Sequence, residues 1–143
     1  MVLSRQKKSW RFKKSLNIVS KIIQQTLSEG FLKKNIFILG FSQGASLSLE
    51  FLIRQDFSLG GVIPIAGFFI SENKLKKDFN TGSKETPILL IHGANDKIVL
   101  PSESEKSKII LEYNNYSASL KLFLSGHKIP LEARKVIQDF ICI

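Results

Sequence analysis

The sequence predicts an α/β fold of about four mainly parallel strands with flanking helices. Three observations carry that prediction. Short apolar runs alternate with helical stretches along the 143 residues, the pattern of a parallel sheet covered on both faces. The apolar runs are largely continuous, as strands buried on both sides must be. Polar residues capable of chemistry stand just after three of them, at the carboxyl ends of strands where ligands gather in open parallel sheets.

Taken in order, Leu16, Val19, Ile22, Ile23, Thr26 and Leu27 recur at three- and four-residue steps and predict an amphipathic helix stopped at Gly30. "NIFILGF" (35–41) reads as a buried strand, and "GASLSLEFLI" (44–53) as a helix with Leu47 and Phe51 on one face. "GGVIPIAGFF" (60–69) is a second strand, although Pro64 sits awkwardly where a central strand needs every backbone donor. Residues 71–86 are polar and predict the least structured connection. "PILLIHG" (87–93) is a third strand, residues 101–113 a helix, "ASLKLFLSG" (118–126) a fourth strand and "LEARKVIQDFICI" (131–143) a closing helix. No internal repeat or low-complexity segment interrupts the series.

With 43% hydrophobic residues the chain can bury one core, and its single cysteine, Cys142, excludes an intrachain disulfide. Cys142 itself reads as a small C-terminal hydrophobe. The formal charge of +9 is uneven: residues 1–28 hold Arg5, Lys7, Lys8, Arg11, Lys13, Lys14 and Lys21 and no acid, which leaves +2 for the rest. Such an arm can touch nucleic acid or an anionic membrane surface, and Trp10 and Phe12 lie among its cations. The simpler expectation is a solvated, poorly ordered terminus over residues 1–15, with no nucleic-acid partner and with the two aromatics covering the start of the first helix. "SLNIVSKIIQQTL" is broken by Lys21 and two glutamines, so it is no secretory signal, and no run approaches a bilayer span. The expectation is a cytoplasmic protein without stable membrane insertion.

"GFSQG" fits G-x-S-x-G, in which a serine occupies a strained turn between strand and helix. Gly40 and Gly44 are expected to be glycines because a β-carbon at either would collide with the neighbouring backbone. The turn lifts the Ser42 hydroxyl above the sheet, and the helix that follows turns its N-terminus toward a developing oxyanion, with the Gln43 N–H as one donor. "HGANDKIV" supplies Asp96, to hold an imidazole in one tautomer, and "SGHKIP" supplies His127, to take the Ser42 proton and return it to the leaving group. His92, one residue past a buried strand, is expected to pack beside the turn and not to react. The order serine, acid, histidine is that of α/β-hydrolases. No cysteine or histidine cluster suggests a metal, and no glycine-rich loop suggests a phosphate.

"IFILGFSQGASLSLEF", "GVIPIAGFF", "PILLIHGANDKIV" and "SGHKI" together resemble the phospholipase/carboxylesterase family, which includes the acyl-protein thioesterases. The resemblance covers roughly residues 16–143. It implies a partial α/β-hydrolase domain, a Ser42–Asp96–His127 triad, and hydrolysis of a small carboxylic ester or acyl thioester through an acyl-enzyme, without a cofactor. Leu100 stands where the family usually has proline, and Pro101 follows. Family members are typically longer, with early strands and an H-G-x-G-type loop that provides the other oxyanion donor, and nothing in residues 1–35 resembles that part. The alternative is therefore an N-terminally truncated, weakly active or inactive remnant. With those strands missing, "NIFILGF" becomes a sheet edge, and an apolar edge invites pairing, here as a homodimer.

Overall fold

A computed structural model describes residues 2–70 and 79–142, with side chains described from residue 11 onward. Residues 71–78, the first half of the polar connection, and the Trp10 side chain lie outside the described residues. The chain divides into two units, residues 1–32 and residues 33–143. The first contains one helix, α1 (Val2–Ser28). Its backbone begins at Val2, ahead of the apolar periodicity that starts at Leu16, and it ends two residues before Gly30.

The second unit runs β1 (Phe37–Phe41), α2 (Gln43–Ile53), β2 (Gly61–Ile65), β3 (Ile88–Gly93), α3 (Pro101–Tyr113), β4 (Ala118–Phe123) and α4 (Ala133–Ile141). The four strands form one parallel sheet in the order β1-β2-β3-β4. This is the α/β architecture that the alternating runs predict, with β1 at one end of the order.

Successive strand residues point to opposite faces, and the core divides accordingly. On one face Val62, Ile88 and Leu90 pack with Leu49, Leu52 and Ile53 of α2 and Leu111 of α3. On the other, Ile63, Ile65, Leu89 and Ile91 pack with Ala133, Val136, Ile137 and Phe140 of α4. The result is three layers, with α2 and α3 covering one side and α4 the other. β2 and β3 are buried along their whole length, which is why their sequences carry no polar alternation.

Pro64 does lie inside the central strand β2, and the sheet yields around it. Val62 N–H donates to the Pro87 carbonyl at 3.0 Å and Ala66 N–H to the Ile91 carbonyl at 2.9 Å. In a parallel ladder the bond between these two comes from residue 64, and proline has no N–H to give. The β2–β3 register accordingly pairs only Val62 with Ile88 and Ile65 with Ile91, whereas β1 pairs with β2 continuously from Phe37 to Phe41.

Candidate active site

Ser42 follows directly on β1, and its backbone adopts φ 54, ψ −113, a left-handed φ that non-glycine residues seldom take. Its N–H is held by the Ile65 carbonyl at 2.8 Å. α2 begins at the next residue, so the Gln43 N–H has no acceptor within the helix. Gly40 explains why the turn can be this tight: a β-carbon there would fall onto the Gly44 carbonyl.

Gly44 is different. A β-carbon added there meets nothing within 4 Å, which corrects the expectation that both flanking glycines are sterically required. The second crowded position is Gly67, just past β2, where a β-carbon would strike the Ala45 side chain and come within 2.9 Å of the Ser42 carbonyl oxygen. Its neighbour Phe68 donates its N–H to Ser46 Oγ at 3.2 Å, which fixes that loop against the first turn of α2.

Asp96 lies three residues past β3 and is 2% exposed. Its Oδ1 accepts the Ile98 and Val99 N–H groups, both at 2.9 Å. Its Oδ2 lies 2.7 Å from His127 Nδ1. Burial pushes the carboxyl pKa up, but the His127 hydrogen bond, the two backbone N–H groups and the His127 charge outweigh it, so Asp96 titrates below its ordinary 3.8. An ionised carboxylate can only accept, so His127 donates from Nδ1, and its Nε2 is left to accept the Ser42 hydroxyl, 3.0 Å away. Residues 85 positions apart in the chain, Ser42 and His127, thus meet at the carboxyl end of the sheet.

Two further residues belong to this arrangement. The Phe41 ring stacks on the His127 imidazole with centroids 5.1 Å apart and planes tilted 39°; as one of 11 phenylalanines, it carried no sequence signal. His92 lies inside β3 and not one residue past it; it packs beside the turn and is hydrogen-bonded at both nitrogens, to Ser104 Oγ at 2.6 Å and the Val99 carbonyl at 2.8 Å. Its spacing of four residues before Asp96 was the available clue. Pro101 occupies the first position of α3 with Leu100 as the N-cap, where a missing N–H costs nothing; the shifted proline therefore starts the helix and leaves the acid loop free.

The loops bearing Asp96 and His127 also carry exposed aliphatic side chains, among them Ile98, 77% exposed, and Leu124, 89% exposed. Among the described residues no group of three or more histidine, cysteine or acidic side chains is placed to hold a metal, and no helix is long and apolar enough to cross a membrane.

Comparison with known proteins gives this geometry a context. The chain is 31% identical over 124 residues to carboxylesterase SOBER1 of Arabidopsis thaliana, a match covering 86% of this chain and 54% of that protein. It is 35% identical over 125 residues to acyl-protein thioesterase 1 of Saccharomyces cerevisiae, covering 85% and 55%. The crystal structure of Arabidopsis SOBER1 superposes with a TM-score of 0.86 at 29% identity, over 92% of this chain and 63% of that one. The chain thus spans about half the length of these curated relatives. The phospholipase/carboxylesterase family model matches residues 2–143, and the chain belongs to that family.

Proposed function

We propose that the chain carries a serine-hydrolase site that cleaves carboxylic esters or acyl thioesters through a covalent acyl-enzyme, with Ser42 as nucleophile, His127 as general base and Asp96 as its partner. The observation that carries this reading is the hydrogen-bond relay from Asp96 through His127 to a serine held at φ 54. Relatives that are carboxylesterases and acyl-protein thioesterases support it.

Ser42 Oγ attacks the acyl carbonyl while His127 Nε2 takes its proton. Asp96 accepts the Nδ1–H and stabilises the imidazolium that forms. The oxyanion of the tetrahedral intermediate takes the free Gln43 N–H at the start of α2. His127 returns the proton to the departing alcohol or thiol, then takes a proton from water as it attacks the acyl-serine, and passes it to Ser42 Oγ as the Oγ–acyl bond breaks and the carboxylic acid leaves. The exposed aliphatic side chains beside Asp96 and His127 suit an acyl chain better than a charged substrate.

The second reading is a weakly active or inactive remnant. The Gln43 N–H is one donor, and a site working with a single oxyanion donor is slower by roughly a hundred- to thousandfold. Among the described residues β1 lies at one end of the strand order, and Leu39 on it is 47% exposed, so pairing of this edge with a second copy is the route by which the chain would form a homodimer. The test is p-nitrophenyl butyrate hydrolysis by wild type and Ser42→Ala, with the oligomeric state measured by light scattering. Hydrolysis that disappears in Ser42→Ala is expected, and folded wild type no faster than the variant supports the remnant.

A further inference from the structure

His92 is fully buried, and neither of its nitrogens faces Ser42 or His127; both are committed elsewhere. The Val99 carbonyl can only accept, so Nε2 carries a proton and donates it there at 2.8 Å. Nδ1 lies 2.6 Å from Ser104 Oγ. Ser104 is itself fully buried on α3, and its hydroxyl donates to the Gly67 carbonyl at 3.2 Å, on the loop that presses against Ser42 and α2. Val99 is gripped at both ends: its carbonyl by His92, and its N–H by Asp96 Oδ1. His92 Nε2 also lies 3.3 Å from Asp96 Oδ2, the oxygen that receives His127.

We infer that His92, protonated at Nε2 against the Val99 carbonyl and held in orientation by Ser104, is a positioning residue that fixes the acid loop and thereby aims Asp96 at His127. The inference deepens the hydrolase reading and rests on it for its kinetic consequence, but its structural content concerns only the Asp96–His127 bond. A histidine suits this place because it offers hydrogen-bonding nitrogens on two sides, across the width of a ring. An apolar residue here would leave the Val99 carbonyl without its His92 donor and the Asp96 loop anchored from one end only. The Val99 carbonyl, which can only accept, keeps a proton on Nε2, and Ser104, bonded at the other nitrogen, holds the ring in its orientation.

The experiment compares His92→Asn, His92→Gln and Ser104→Ala by two readouts. One is the downfield proton NMR signal of the His127 imidazole N–H bonded to Asp96, which requires no activity. The other is the rate at which a fluorophosphonate probe labels Ser42. The shorter Asn amide ends near the Nδ1 position and does not reach Val99, so the signal should be lost and labelling slowed by about ten- to a hundredfold. The Gln amide nitrogen reaches the place of Nε2 and should restore most of both. Folded His92→Asn with an unchanged signal and rate overturns the proposal, and so does a Gln variant as impaired as Asn. If His92→Asn does not fold, Ser104→Ala decides: a broadened signal supports the proposal, and an unchanged one overturns it. Wild type that shows the signal but no labelling contradicts the hydrolase reading while leaving the NMR comparison intact.

Discussion

Ser42 takes its position from what cannot fit around it, whereas Asp96 takes its position from what is bonded to it. The serine sits at a left-handed φ between a strand and a helix, beside Gly40 and Gly67, where β-carbons would collide with the elbow. The aspartate occupies ordinary loop backbone, yet its two oxygens accept from Ile98, Val99 and His127. The difference teaches that the two halves of the site fail in different ways: added volume damages the elbow, and lost hydrogen-bonding capacity damages the acid loop.

The largest effect expected on this contrast comes from the bonded half. Asp96→Asn is nearly isosteric, and its Oδ1 can still accept from Ile98 and Val99. Its amide, however, no longer provides the charge that orients and stabilises His127. Hydrolysis should fall by about ten-thousandfold while the thermal midpoint changes little, measured by ester turnover and by circular dichroism. A similar loss from a change that also unfolds the chain would blur the distinction between the halves.

At the elbow the pair Gly40→Ala and Gly44→Ala sharpens the comparison. The first places a methyl group on the Gly44 backbone and should cost about 3 kcal/mol. The second enters open space in the first turn of α2 and should be neutral or stabilise by about 0.5–1 kcal/mol. Urea denaturation of both variants checks the order, and equal losses would remove the steric account of Gly40.

The smallest effect is one of pH. The pKa of Asp96 in the folded chain is depressed below its ordinary 3.8, so its contribution to stability is complete above that value and is lost as pH falls through the lowered one. Wild type should therefore lose stability on acidification below about pH 4, and Asp96→Asn should lose less. Urea midpoints at neutral and acid pH for the two chains measure the difference, and parallel slopes would show that the carboxylate is not held as described.

Much of this molecule is legible in its sequence because much of it is local. A strand buried on both faces must be apolar throughout, so "PILLIHG" announces itself, and a serine turn between strand and helix needs its own short pattern. Ser42, Asp96 and His127 each follow a strand, and the parallel topology alone brings strand ends together. What the sequence does not disclose depends on pairing across the fold. Gly67 is crowded because β2 ends beside the start of α2, and Ser104 meets His92 because α3 returns over β3. Phe41 finds His127 only once β4 delivers its loop to the same end of the sheet. Gly44 misleads in the other direction, since its place in the motif says nothing about the empty space beside it.

Pro64 has a mechanical consequence. The bond it withholds lies between β2 and β3, so that line lacks one bond of an uninterrupted parallel ladder. Ser42, anchored to the Ile65 carbonyl, rides on the β1–β2 side of this seam, while Asp96 and His127 ride on the β3–β4 side. The Ser42–His127 hydrogen bond crosses the seam like a latch across a hinge. Shear between the two halves would change the Ser42–His127 distance while leaving each half's own ladder intact, and the proton transfer proposed above runs along that distance.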